Sequence, residues 1–481
     1  MGRIMIAGTN SGCGKTTIVC GILQAFVNDG LKTAGFKCGP DYIDPMFHRE
    51  IIGTKSGNLD GFFMDKETLC FLLAKNSKDC DISVTEGVMG YYDGMGMTET
   101  ASSYQVARDT LTPVILVVPC KGASRSIQAM IKGFLEYEQD SKIRGIIFNE
   151  LPESLYPSMA EYCKKIGVRP LGFFPVVKEA RIESRHLGLV TAQEIGDLKE
   201  KVQKLAETAG KYLDLKGILE LAAEANELDT ETNEPEVGTC EPKTNTCQRC
   251  EETKTSELTE VSEMKSASEP PLRIAVARDR AFCFYYEDNL ELLQSLGCEL
   301  VEFSPLEAGW LPGEIDGLIL GGGYPELYGE KLATNQSLLQ DIRNRIVEGL
   351  PAYAECGGYI YLHEKMEDVK GASYKMVGVI EGTCRFTDRL QHFGYVTMTA
   401  KEDNLFCKKG EIIRAHEFHR CVSDAAETAF DTVKGEKHWD SFVAKDNLLA
   451  GFPHIHYYAN PQVAKRFVAQ CRAYRDTKDR C

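Results

Sequence analysis

Apolar residues gather into short runs at intervals along the chain, and those runs set the first expectations. Arg3 to Ala7, Asp81 to Thr85, Val114 to Val118 and Gly145 to Phe148 each have the length and character of a strand. Segments of helical pattern or helix-compatible length separate them, and that alternation predicts a parallel α/β layer. The rhythm restarts at Leu272-Arg-Ile-Ala-Val-Ala, continues through Asp316-Gly-Leu-Ile-Leu and reaches Pro351-Ala-Tyr-Ala-Glu. Between the two series, residues 226–270 contain no Phe, Tyr, Trp or Ile and are dominated by Glu, Thr, Ser, Lys and Asn. Such a stretch buries too little apolar surface to offset its ordering entropy, so a disordered acidic linker is expected there. A chain of 481 residues also exceeds what one core usually serves. The expectation is two α/β domains, residues 1–225 and 271–481, joined by that linker.

Composition narrows the function classes. Charged residues make up 26% and hydrophobic ones 43%, as in an ordinary globular protein. No apolar run approaches the ~18 residues of a membrane helix. The start, Met1-Gly-Arg-Ile-Met-Ile-Ala, runs straight into a strand pattern without a signal-peptide plan, so a cytoplasmic protein is expected. A net charge of -16 argues against a nucleic-acid partner, because phosphate recognition draws on Lys and Arg. The 18 Cys read as reduced thiols. Cys240, Cys247 and Cys250 fall in the linker, and one CxxC without a second pair or a nearby His does not make a zinc site.

The first strand ends in Gly8-Thr-Asn-Ser-Gly-Cys-Gly-Lys-Thr-Thr17, and a helical pattern follows from Ile18 to Val27. Glycines such as Gly12 and Gly14 let backbone N–H groups close on phosphate oxygens. Lys15 supplies a mobile positive charge, and the Thr16 hydroxyl, next to Thr17, suits Mg²⁺. The spacing departs by one residue from the usual G-x-x-x-x-G-K-[ST], since Thr9 stands where the first Gly belongs. Lys37-Cys-Gly-Pro-Asp-Tyr-Ile-Asp-Pro45 places Asp41 and Asp44 in a turn fixed by two prolines, and Glu86 follows an apolar strand directly. Ligands of such sheets bind beyond the carboxyl ends of the strands, so these acids read as a Mg²⁺ and nucleotide site.

The second half offers Gly321-Gly-Gly-Tyr-Pro-Glu326 after one strand and Glu355-Cys-Gly-Gly358 after the next. A Cys at the end of a strand, flanked by Glu355 and Gly357, has the setting of a nucleophile elbow. The Gly357 N–H, with one from Gly322 or Gly323, would stabilise an oxyanion. Ala450-Gly-Phe-Pro-His-Ile-His456 supplies His454 as base, with His456 as companion. Arg414-Ala-His-Glu-Phe-His-Arg420, with Arg385, Arg389, Gln391 and His392, adds cationic groups that suit an acidic substrate.

These motifs together, with Thr85-Glu-Gly-Val-Met-Gly-Tyr-Tyr-Asp-Gly94, resemble the cobyrinate a,c-diamide synthases across both halves. The first half is also similar to dethiobiotin synthetase among P-loop NTPases, and the second to class I glutamine amidotransferases of the cobyric acid synthase type. The resemblance implies that Cys356 releases ammonia from glutamine while ATP phosphorylates a substrate carboxylate, which ammonia then attacks. It assigns ATP to Gly12, Gly14, Lys15, Thr16, Thr17 and Asn149, and Mg²⁺ to Thr16, Asp41 and Glu86. Tyr42, Asp44 and Asp93 match positions that handle substrate. It implies small-molecule partners and leaves the oligomeric state open. The third triad member of related glutaminases, a Glu two residues after the His, is His456 here, so His454 lacks an evident orienting partner. Amidation of a nickel sirohydrochlorin is the rival within the class, and a P-loop nucleotide switch the rival from another.

Overall fold

The computed structural model describes residues 2–180, 192–228 and 270–478. The expected linker, with Cys240, Cys247 and Cys250, lies outside the described residues except for positions 226–228 and 270. In the first half, seven strands pair in the order Lys55–Leu59, Thr33–Cys38, Ile82–Glu86, Gly2–Gly8, Val114–Pro119, Ile143–Asn149, Arg169–Phe174. Every pairing is parallel. The four expected strands are present, each a residue or two from its predicted bounds. Thr33–Cys38 escaped the sequence reading because Lys37 interrupts its apolar run, although all six residues are buried. The helix Lys15–Asn28 starts three residues earlier than its pattern predicted, directly on Gly14.

The second half is built on a sheet ordered Cys298–Phe303, Leu272–Ala277, Gly317–Leu320, Ala352–Glu355, Leu448–Gly451, Val443–Lys445. Its pairings are parallel apart from the antiparallel edge between Leu448–Gly451 and Val443–Lys445. Two four-stranded sheets extend this half, and one of them joins Ile412–His419, His392–Ala400, Phe430–Lys434 and Lys437–Ser441 in antiparallel pairs. These strands were not expected. Their polar outer positions break any apolar run, and they are half-buried surfaces by alternation.

The halves share one core. Tyr42, Phe62 and Phe63 from the first and Tyr285, Tyr286 and Ile455 from the second lie in a single buried hydrophobic cluster. Polar bonds rim it. Asn76 Nδ2 donates to Asp288 Oδ1 at 2.8 Å, Lys75 pairs with Glu291 at 2.8 Å, and Arg414 Nη1 donates to the Phe62 carbonyl at 2.6 Å. The Tyr395 hydroxyl donates to Asp60 Oδ2 at 2.8 Å, while Asp60 Oδ1 accepts from the Phe62 N–H.

Burial pushes the Asp60 carboxyl up to about 6, against the pull of its backbone and Tyr395 hydrogen bonds. The folded state therefore holds this proton more tightly than the unfolded chain, where Asp titrates near ~3.9. Ionisation then costs native stability on the order of 3 kcal/mol, absent below about pH 4, growing to about pH 6 and constant above. Asp60→Asn should accordingly gain urea midpoint relative to wild type between pH 4 and pH 7. A difference that ignores pH would show that the seam bears no such cost.

Candidate functional site

Four strands of the first sheet deliver their carboxyl ends to one place, where parallel sheets bind ligands. Gly2–Gly8 ends in the phosphate loop, whose Gly12 and Gly14 take φ of 75° and 96°. Those left-handed turns are open to Gly and close the loop onto the N-terminus of Lys15–Asn28. Lys15 Nζ donates to the carbonyls of Asn10 at 3.1 Å and Met89 at 2.5 Å. Thr16 Oγ1 donates to Glu86 Oε1 at 2.5 Å, so two of the three groups that the resemblance assigns to Mg²⁺ meet directly. Asn149 Nδ2 donates to the Cys13 carbonyl at 2.8 Å. It braces the phosphate loop from the end of Ile143–Asn149. Thr17 follows Thr16 in the helix and is partly buried.

Lys37 is the residue that the sequence reading passed over. Its Nζ contacts Asp44 Oδ2 at 2.5 Å, from the short helix Ile43–Phe47, and Glu86 Oε1 at 2.8 Å, from the neighbouring strand. Burial works against its charge, but Glu86, Asp44 and Asp41 outweigh burial and keep it protonated. The same cluster separates its acids. Burial raises Glu86 to about 7 and Asp41 to about 6, whereas at Asp44 the Lys37 ammonium overcomes burial and holds the carboxyl below its usual range. Asp41 Oδ1 accepts from the Ile43 N–H at 2.7 Å and so shapes its own turn. Asp93, exposed, caps Gly90 at 2.9 Å in the loop that lies over the phosphate turn. Tyr42 turns the other way. Its buried ring packs against Phe284, Tyr286 and His454 of the second half, with centroids 5.3, 4.4 and 5.2 Å apart.

A Mg²⁺ ion fits the oxygen donors present. Glu86 Oε2 is buried with no hydrogen-bond partner beside the Thr16 hydroxyl, and Asp41 contributes a carboxylate to the same Lys37 cluster. Among the described residues no group of three or more His, Cys, Asp or Glu forms a metal cage. Mg²⁺ is ordinarily held by few carboxylates together with water and nucleotide phosphates.

Ala352–Glu355 ends at Cys356, whose φ of 48° and ψ of -100° are sparsely allowed for a side-chain residue. The Cys356 N–H is tied to the Gly451 carbonyl at 2.8 Å on the neighbouring strand, which holds the elbow against its strain. Gly358 is required there, since a Cβ would lie 2.1 Å from the Leu320 carbonyl oxygen. Gly322 and Gly323 flank the elbow: a Cβ on Gly357 would stand 3.0 Å from the Gly323 nitrogen, and one on Gly322 would stand 2.8 Å from His454 Cε1.

His454 does have an orienting partner, and it corrects the sequence reading. His454 Nδ1–H donates to Glu355 Oε1 at 3.2 Å, and the Tyr353 hydroxyl fixes Glu355 Oε2 at 2.7 Å. Burial opposes the imidazolium, but the charges of Cys356 and Glu355 prevail and raise His454 to about 10. His456, the expected companion, faces the seam. It accepts from the Tyr458 N–H, packs on Tyr286 at 4.7 Å, and is held neutral by burial, down to about 3. No sequence spacing rule points to Glu355, because the residue before a nucleophile alternates away from it along the strand.

Residues 4–190 match the CobQ/CobB/MinD/ParA nucleotide binding domain, and residues 273–462 match the CobB/CobQ-like glutamine amidotransferase domain. A cobyrinate a,c-diamide synthase of Listeria innocua is 38% identical over 96% of this chain and 98% of its own. The Thermoplasma volcanium enzyme of that name is 37% identical over 98% of each chain, and the Caldanaerobacter subterraneus one 35% over 98% of each. The chain belongs to the cobyrinate a,c-diamide synthase family. It is a ligase that takes nitrogen from glutamine, and the nucleotide-switch reading falls away. Membership also explains why a phosphate loop and a cysteine elbow share one chain. Among the described residues no helix is long and apolar enough to cross a membrane.

In this family member, Glu355→Gln should lower glutaminase kcat/KM by ~10²-fold or more, because the imidazole loses the charge that orients it. Cys356 alkylation by iodoacetamide should slow at pH 7 in the same variant. Unchanged rates in both assays would remove Glu355 from the site.

Proposed function

We propose that the chain converts the a and c acetate carboxylates of cobyrinic acid to amides with ATP and glutamine. The observation that carries this is the seam: Tyr42, between the acids Asp41 and Asp44, packs its ring on His454, so carboxylate activation and ammonia release lie back to back. The relatives' name supplies the substrate.

In the second half, His454 takes the thiol proton of Cys356 as the sulfur attacks the glutamine carboxamide carbon. The oxyanion faces Gly357 and the Gly322–Gly323 turn, ammonia leaves, and water hydrolyses the thioester to glutamate. In the first half, a substrate carboxylate oxygen takes the γ-phosphoryl group of ATP and ADP departs. Ammonia attacks the acyl carbon of the acyl phosphate, the C–O bond breaks, and phosphate leaves with the amide formed. Lys15, Thr16 and the phosphate-loop N–H groups hold the nucleotide, while Lys37 fixes Asp44 and Glu86. Mg²⁺, when held by Thr16, Glu86 and Asp41, supplies charge neutralisation at the phosphates. Asp44 and Asp93 serve the substrate side, and Tyr42 lines the seam toward His454.

Cys356→Ser should abolish glutamine-dependent product yet keep product formation from ammonium salts, whereas Glu86→Gln should lose both, by ~10²-fold or more. Product mass decides the substrate. Purified protein with ATP, Mg²⁺, glutamine and cobyrinic acid should give a species lighter by about one dalton per amide, stopping at two conversions. Amidation of nickel sirohydrochlorin alone would keep the chemistry and replace the substrate.

A further inference from the structure

A face of the second half carries large aromatics in the open. Phe393 is 55% exposed and Phe418 53% exposed, and they stand opposite one another on paired strands with centroids 5.6 Å apart. Side chains two apart on a strand share a face, so Phe393 lies beside Tyr395, and Phe418 beside His416. The rings form an unbroken row. Phe62 stacks on Tyr395 at 4.5 Å, Tyr395 meets His416 at 5.8 Å, His416 meets Phe393 at 6.2 Å, and Phe393 meets Phe418.

One end of that row is the reaction site. The Tyr395 hydroxyl bonds Asp60 and stands 3.6 Å from where a Cβ on Gly39 would lie, two residues before Asp41. The other end is open and basic. Lys434 Nζ sits 5.7 Å above the Phe393 ring, and Arg420 and Arg389 are exposed and pair with no carboxylate among the described residues. Arg385, expected to join them, is instead spent on Glu367 and Asp424. In a chain of net charge -16, a flat aromatic strip edged by Lys434, which donates to the Phe393 carbonyl, and by two arginines without a carboxylate partner is complementary to a flat, polyanionic ligand.

We infer that the Phe393–Phe418 face, edged by Lys434, Arg389 and Arg420, is the docking wall for the tetrapyrrole substrate. The macrocycle lies on the two rings, the cations pair with carboxylates at its rim, and the carboxylate to be amidated reaches past Tyr395 to the Asp41 loop. The inference rests on the tetrapyrrole reading of the proposed function, and it adds where the ring is held.

The test is a titration of the full-length protein with cobyrinic acid, followed through the pigment's own visible absorption, beside activity assays. Phe393→Ala with Phe418→Ala should raise the apparent Kd and the KM for cobyrinic acid by about tenfold or more. KM for ATP, and glutamine hydrolysis without tetrapyrrole, should stay at wild-type values, which also shows the variant is folded. Arg389→Gln with Arg420→Gln should weaken binding and flatten its salt dependence. Wild-type amidation with unaltered affinity in both double variants would overturn the docking wall alone. Phenylalanine variants that change only the sedimentation coefficient would make the face a contact between copies of the chain and overturn it too. A wild-type protein that neither binds nor amidates cobyrinic acid would instead remove the reading on which the inference rests.

Discussion

The arrangement depends on one buried ring. Tyr42 leaves the synthetase half from between two carboxylates and packs among Phe284, Tyr286 and the catalytic-type imidazole of His454. Free ammonia would be lost to solvent or protonated if the two half-reactions faced away from one another. A shared apolar core, with polar bonds confined mostly to its rim, fixes the distance between them and excludes water from the space. The same packing demands that every polar group taken inside find a partner, and most of the chemistry can be read as the answer to that demand.

Each half meets it with a different device. The first gathers three acids around the Lys37 ammonium, so that burial and pairing give Glu86, Asp41 and Asp44 unequal proton affinities within one small volume. Groups pushed apart in this way are suited to different tasks at one pH. The second half stores backbone strain at Cys356 and sets a carboxylate behind the imidazole, with Tyr353 behind the carboxylate. Orientation there passes through three side chains of the sheet interior, all buried, so little entropy is left to lose when glutamine arrives.

Legibility followed how local each signal was. The phosphate loop could be read because glycines, Lys15 and Thr16 act through consecutive backbone groups, and the strand before and helix after it have their own patterns. Cys356 was legible for the same reason. Thr33–Cys38 was not, because a charged residue in an apolar strand looks like an interruption until its partners from other strands are known. The antiparallel sheets of the second half were equally hidden, since their half-exposed strands carry polar residues on one side.

By itself the sequence determined the two α/β halves, the nucleotide loop and the short patterns around Cys356 and His454, because each is a pattern in which neighbours along the chain do the work. Only the tertiary structure decided that Lys37 ties Glu86 to Asp44, that Glu355 and not His456 serves His454, and that Tyr42 faces the second half. Those are contacts between residues brought together from separate strands and separate halves. Their energies come from burial and from charges meeting at a few ångströms, and neither quantity is written in the order of residues along one strand.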